Sequence, residues 1–157
     1  MTVVRPGAPL HWAHMARLGD PPNYSTPRTL GLSAVCILAA LAHFTLGAFD
    51  YDRVDRYLGL GGMLLGGLLL VYGVLSVIRY AEAQDAMNDP LPRAPMYDTP
   101  HQRQTLLVGV GLNALGLLVC LAWAAAGELP LWHLAVGALN VWGAALAWTA
   151  RARSGEG

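Results

Sequence analysis

The chain has 157 residues, of which 55% are hydrophobic and only 13% are charged, whereas soluble proteins carry roughly 25% charged residues. Ten acidic and ten basic side chains cancel, so the chain lacks the excess of positive charge that nucleic-acid binding requires, and we expect no nucleic-acid partner. Every basic side chain is arginine, a bias that indicates a bacterium with a GC-rich genome.

Four long apolar stretches divide the chain. A helix rises about 1.5 Å per residue, so roughly 20 apolar residues cross a hydrocarbon core of about 30 Å. Each stretch reaches that length without an arginine, aspartate or lysine inside it. The sequence therefore predicts an all-α membrane protein in which four transmembrane helices form the domain 29–150, at about residues 29–49, 58–78, 105–126 and 129–150.

The first stretch follows residues 1–28, which show no cleavage-site pattern, so we expect a signal anchor behind a cytoplasmic N-terminal segment. Within this segment, Trp12, Met15 and Leu18 are interspersed with histidine and arginine, a pattern compatible with a short helix at the membrane interface. A flexible tail is the alternative interpretation.

The connections between the stretches differ in length and composition. The first is short and holds three aspartates that we expect at the outer surface, Asp50, Asp52 and Asp55. The second, about residues 80–104, begins with good helix formers as far as Asn88 and continues as a proline-rich cytoplasmic loop. The third is a very short turn, and residues 151–157 form a cytoplasmic tail.

Arginine distribution predicts the orientation, because positive charge is retained in the cytoplasm during insertion. The outer side receives only Arg53 and Arg56. The other side receives the remaining eight, Arg5, Arg17, Arg28, Arg79, Arg93, Arg103, Arg151 and Arg153. We therefore expect both termini in the cytoplasm and the chain in the inner (plasma) membrane.

Small residues at helical spacing are typical of contact faces between membrane helices, because they let two backbones approach closely. Each predicted helix carries one such stripe, so we expect the four stripes to face one another in an up-down-up-down bundle. Ser33 lies on the stripe of the first helix and is predicted to be a buried polar residue. The glycines assigned to helix packing are Gly59, Gly62, Gly66, Gly73, Gly109, Gly116 and Gly137.

Two asparagines, Asn113 and Asn140, fall in the middle third of the predicted third and fourth helices. An unpaired amide is costly in hydrocarbon, so we predict that the two amides hydrogen-bond each other and join these helices. Lining a substrate path is the alternative interpretation.

His43 and His133 fall at similar depths on the small-residue stripes. Two imidazoles inside a bundle can hold a b-type haem, bind a metal or relay protons, although hydrogen bonding without any cofactor is the simpler interpretation, and we expect no cofactor. The two cysteines, Cys36 and Cys120, lie at different predicted depths and are not expected to form a disulfide. No Cys–His spacing predicts a metal site.

One part of the chain resembles a known family. Arg17–Tyr24, followed by Arg28-Thr29-Leu30, resembles the N-terminal region of the YidH-like small inner-membrane proteins of bacteria, and Val71-Tyr72-Gly73 with Ile78-Arg79-Tyr80 is similar too. That family is distantly related to the small membrane subunit of the vacuolar transporter chaperone complex. The resemblance implies a cytoplasmic N-terminus and a place in a larger membrane assembly. The chain departs from the family in its fourth span and in Pro27, where the family has the Glu of a Glu-Arg-Thr motif.

The predicted function is that of a small multi-pass membrane protein without enzymatic activity, an accessory or structural subunit surrounded by lipid and bound to a membrane-protein partner or to further copies of itself. One alternative is a small oligomeric transporter or channel whose path is lined by Asn113, Asn140, His43 and Ser33. Another is a haem- or metal-binding redox protein that uses His43 and His133. No catalytic residue is assigned, because no acid, base or nucleophile converges with others inside the predicted spans.

Overall fold

The structure, a computed structural model, describes residues 27–88, 99–126 and 130–153. In these ranges the chain forms four helices and no strand: α1 Pro27–Arg53, α2 Arg56–Asn88, α3 Thr99–Ala126 and α4 Pro130–Arg153. Each of the four is long and apolar enough to cross a membrane. Within the described residues, the prediction of an all-α protein with four helices long and apolar enough to span a membrane is thus confirmed.

The helices extend beyond the predicted spans at several ends. α1 continues past Phe49 to Arg53. α2 continues to Asn88 and α3 begins at Thr99, so both ends of the predicted loop 80–104 are helical. The reason is that apolarity marks only the part of a helix that lies in lipid, whereas backbone hydrogen bonding continues into polar flanks. The proline-rich middle of that loop, the N-terminal segment with its possible interfacial helix, and the end of the tail lie outside the described residues.

A two-residue turn joins α1 to α2. The Asp50 carbonyl accepts from Val54 N at 2.9 Å and from Asp55 N at 3.1 Å, which closes the end of α1. The Asp55 carboxylate then accepts from the backbone amides of Tyr57 at 2.8 Å and Leu58 at 3.0 Å. Asp55 is therefore the N-cap of α2 and satisfies amides that have no partner within the helix.

α1 and α2 pack closely along a line of glycines. Gly59, Gly66 and Gly73, seven residues apart, lie against the backbone carbonyls of Gly47, Ala40 and Ser33 respectively. Residue numbers fall along α1 as they rise along α2, so the two helices are antiparallel. A side chain at any of the three glycines would push the backbones apart, which is the reason that membrane helix contacts favour small residues.

α3 and α4 form the second close pair, while α1 packs against α4 and the contact between α2 and α3 is smaller than these three. The bundle is apolar outside: Leu38, Leu64 and Leu118 are among the leucines more than half exposed, as expected of side chains that face lipid. The core mixes small and large side chains, and its buried members are Leu32, Cys36, Ala39, Ala40, Leu65, Leu69, Tyr72, Leu106, Ala147 and Ala150.

Candidate functional site

A row of buried polar side chains lies along one face of α1. Thr29, Cys36, His43 and Asp50 follow one another at seven-residue spacing, and none is more than 2% exposed. Seven residues are close to two helical turns, so the four side chains lie nearly above one another. From the first to the last the rise is about 31 Å, similar to the hydrocarbon thickness of a bilayer. The interior of the bundle is therefore polar at several levels across the membrane.

The outermost level is an acid–base pair between two helices. Asp50 of α1 and His133 of α4 are both fully buried, and Asp50 Oδ2 lies 3.1 Å from His133 Nε2. The distance is that of an ion pair, although the alignment is not that of a straight hydrogen bond. Asp50 was expected in the outer loop, and that prediction is wrong, because the extra helical turn of α1 carries its carboxylate into the bundle.

A buried tryptophan occupies the space between the two histidines. The Trp123 ring centroid lies 5.1 Å from that of His133 and 6.2 Å from that of His43, with both ring planes tilted by 45°. Trp123 has no exposed surface, and its six-membered ring rests on Gly62 of α2, where a Cβ would overlap it. Gly62 thus accommodates an indole from α3, whereas Gly66 contacts α1, so this predicted GxxxG pair contacts two different helices.

The next level down joins His43 to Asn140 of α4. Asn140 Nδ2 lies 3.1 Å from His43 Nε2 and also donates to the Val136 carbonyl at 2.9 Å. Because an amide nitrogen can only donate, His43 Nε2 must accept, which leaves the ring proton on Nδ1. Asn140 Nδ2 is also 3.9 Å from Cys120 Sγ, a weaker contact. In this arrangement His43 is a neutral imidazole held in one tautomer.

The third level joins Asn113 of α3 to Cys36 of α1. Asn113 Nδ2 lies 3.5 Å from Cys36 Sγ and donates to the Gly109 carbonyl at 2.8 Å. The predicted hydrogen bond between Asn113 and Asn140 is absent, although both residues are described and fully buried. Each amide instead donates to the carbonyl four residues earlier in its own helix, because that acceptor is local and requires no displacement of the neighbouring helix.

The two asparagines nevertheless bind α3 to α4 in a reciprocal way. The Asn113 amide oxygen lies against Gly143, and the Asn140 amide oxygen lies against Gly116. Each asparagine therefore fits over a glycine of the opposite helix, at the sequence spacing Asn-x-x-Gly in both. Neither amide oxygen has a hydrogen-bond donor among the described residues, so the contact of each asparagine with the opposite glycine is one of packing.

Two buried serines form hydrogen bonds within their own helices. Ser33 Oγ is buried and donates to the Thr29 carbonyl at 2.9 Å, and Ser76 Oγ donates to the Tyr72 carbonyl at 2.8 Å. Both bonds stay within one helix, four residues apart, which is the usual way for a serine to satisfy its hydroxyl in a membrane helix.

Two further predicted packing glycines lie against other helices. Gly109 of α3 faces the Tyr72 hydroxyl of α2, where a Cβ would overlap the ring. Gly137 of α4 faces Cys120 and Leu117 of α3, where a Cβ would make ordinary contacts at 3.5 Å and 3.4 Å. The Gly137 site therefore has room for a small side chain, unlike Gly109.

A haem held by His43 and His133 would have to displace the Trp123 indole. A haem iron needs both imidazoles to approach it from opposite sides of an open slot, and the Trp123 indole fills the space between them. Among the described residues, no group of three or more His, Cys, Asp or Glu side chains could hold a metal. Cys36 and Cys120 are both buried free cysteines.

Sequence reasoning did not predict two of the buried residues that contact the histidines, Asp50 and Trp123. The signal for Asp50 was the seven-residue series itself, because counting on from Thr29, Cys36 and His43 arrives at position 50. Trp123 carried no such signal, since Trp132 and Trp148 have similar sequence surroundings and are 64% and 55% exposed.

The reciprocal Asn–Gly contact predicts a difference between glycines of α3. Gly116→Ala should lower the free energy of unfolding by about 1–3 kcal/mol, because its Cβ would overlap the Asn140 amide. Gly111→Ala is the matched control, since nothing lies within 4 Å of its Cβ position, and it should be neutral or stabilising by up to about 1 kcal/mol. Unfolding by sodium dodecyl sulfate in mixed micelles measures both. Equal effects would contradict the contact.

Fold and interior together define a class: a small all-helical, multi-pass membrane protein with a polar cluster buried between its helices. Comparison of the chain with protein-family models, with curated proteins and with solved structures finds no match.

Proposed function

We propose that this chain is an accessory or structural subunit of a complex in the inner (plasma) membrane, without enzymatic activity of its own. The observation that carries the proposal is that contacts between buried polar side chains link different helices. Asp50–His133 and His43–Asn140 join α1 to α4, and Asn113–Cys36 joins α3 to α1. Interior polar groups engaged in this way hold helices together, a role typical of polar residues in membrane bundles.

The resemblance to YidH-like proteins supports the same proposal. Its N-terminal part, Arg17–Tyr24, lies outside the described residues. In its second part, Tyr72 and Gly73 are buried contact residues of α2 that face α3 and α1. A member of such a family would place both termini in the cytoplasm and work within a larger assembly, in agreement with the arginine distribution.

A small oligomeric transporter is the second candidate. The observation that favours it is the row of buried polar side chains along α1, because ionisable side chains inside a membrane commonly mark ion or proton paths. Four helices rarely enclose a pore by themselves, so this candidate requires several copies of the chain.

One measurement separates the two candidates. The tagged chain, expressed in its native host, is extracted in mild detergent and its complexes are weighed by native mass spectrometry. We expect a mass that contains this chain and one or more different membrane proteins. A mass equal to a whole number of copies of this chain supports the transporter instead. A pure 16.7 kDa monomer would argue against both.

A further inference from the structure

We propose that Asp50 and His133 form a proton-binding site inside the membrane, in which one exchangeable proton is shared between the carboxylate and the imidazole. The proposal goes beyond the subunit role and does not depend on it, since a structural contact between α1 and α4 needs no exchange of protons.

Charge compensation is the first argument. A lone carboxylate or imidazolium costs several kcal/mol when it is removed from water, and both residues are fully buried. With one proton between them, the pair is net neutral whether the proton is on Oδ2 or on Nε2, which are 3.1 Å apart. Loss of that proton leaves a buried negative charge. The pair is therefore a place where a change in protonation alters the charge of the bundle interior by one unit.

The free nitrogen of His133 is the second argument. His133 Nδ1 is buried and has no hydrogen-bond partner among the described residues, so the ring can take up or release a proton on the side away from Asp50. His133 lies one turn from the beginning of α4 at Pro130, close to the outer end of the bundle. The nitrogen therefore belongs to the first turn of α4 and not to the middle of the helix.

The two histidines of the cluster differ in what they face. His43 accepts from the Asn140 amide and is held neutral, because a proton on its Nε2 would meet an N–H donor. His133 faces a carboxylate and has no such obstacle. The site for the exchangeable proton is thus the Asp50–His133 pair and not His43.

The pair also has neighbours on α3, on α2 and at the helix ends. From α3 the neighbours are Trp123, which does not titrate, and the thiol of Cys120 one turn further in, while α2 contributes glycines at this level, Gly59 and Gly62. The nearby charges of the helix ends, Asp52, Asp55, Arg53 and Arg56, are exposed. Arg53 and Arg56 lie over the rings of Phe49 and Tyr51, at 4.6 Å and 5.9 Å. Glu128 lies outside the described residues.

Nuclear magnetic resonance of the full chain in lipid nanodiscs tests the proposal. With ¹⁵N-labelled histidine, the ring signals of His133 and His43 are assigned by His133→Gln and His43→Gln and followed from about pH 5 to pH 8, the range in which imidazoles titrate. With ¹³C-labelled aspartate, the Asp50 carboxyl signal is followed in parallel. We expect His133 and Asp50 to respond at a common midpoint, and His43 to keep the neutral Nδ1–H tautomer.

The variant Asp50→Asn then isolates the coupling. We expect the His133 midpoint to move to lower pH by about one unit or more, because the amide cannot compensate an imidazolium as a carboxylate does. Ser76→Ala, a buried polar change whose hydroxyl bonds only within α2, is the control and should leave the midpoint unchanged. The proposal is overturned if His133 shows no titration across this range, or if it titrates identically in wild type and Asp50→Asn. Neither result bears on whether the chain binds a partner.

Discussion

Replacing Asp50 by leucine should lower the free energy of unfolding by about 1–3 kcal/mol, the cost of leaving a buried polar group without its partner. The expected loss comes from His133, which has no exposed surface and would keep a polar ring beside a hydrocarbon side chain. Unfolding by sodium dodecyl sulfate in mixed micelles, followed by far-ultraviolet circular dichroism, measures the change.

A double-mutant cycle shows whether the pair itself causes this loss. His133→Leu alone should destabilise similarly, while Asp50→Leu combined with His133→Leu should recover much of the loss, because two apolar side chains can replace a buried pair at little cost. Asp52→Leu is the matched control, since Asp52 is also an aspartate of α1, two residues further along, but its side chain is exposed. Additive losses in the double variant would mean that the 3.1 Å contact carries no coupling.

Gly62→Leu is expected to be the most damaging of the single glycine substitutions. Its side chain would need the volume that the Trp123 ring occupies, and Trp123 in turn separates His43 from His133. Overpacking of a filled core costs about 1–3 kcal/mol, and displacement of a fully buried indole can add as much again.

The neighbouring glycine provides the control for this substitution. Gly61 is exposed and nothing lies within 4 Å of its Cβ position, so Gly61→Leu should leave the unfolding transition unchanged or raise it slightly. The two variants have the same composition and differ only in the helix face that carries the leucine. If Gly61→Leu destabilises as much as Gly62→Leu, then the environment assigned to the α2 face is wrong.

The asparagines show what can be predicted from the position of a residue along a transmembrane helix. Depth placed Asn113 and Asn140 in the bundle interior, and both are indeed fully buried. It could not decide their partners, because an amide near a neighbouring helix has a choice between that helix and the carbonyl four residues back in its own. The local carbonyl is always within reach, so the hydrogen bond predicted between α3 and α4 is replaced by two asparagine–glycine contacts.

Asp50 shows the opposite limit. An isolated carboxylate is so costly in hydrocarbon that a span predicted from sequence ends before it, and the first predicted span therefore ends at Phe49. His133, which lies on another helix, compensates the buried carboxylate of Asp50. The cost of burying a residue depends on its partner, and a partner 83 positions away in the chain is supplied by packing.

The sequence by itself determined three things: that the helices suit lipid surroundings, how many helices the described part contains, and which small residues are available for close contact. Apolar length and side-chain size are properties of each segment alone. The tertiary structure decided which helix each glycine meets, which residue compensates Asp50, and that an indole lies between the two histidines. These depend on the rotation of one helix against another, and that rotation is set by the packing of all four helices together.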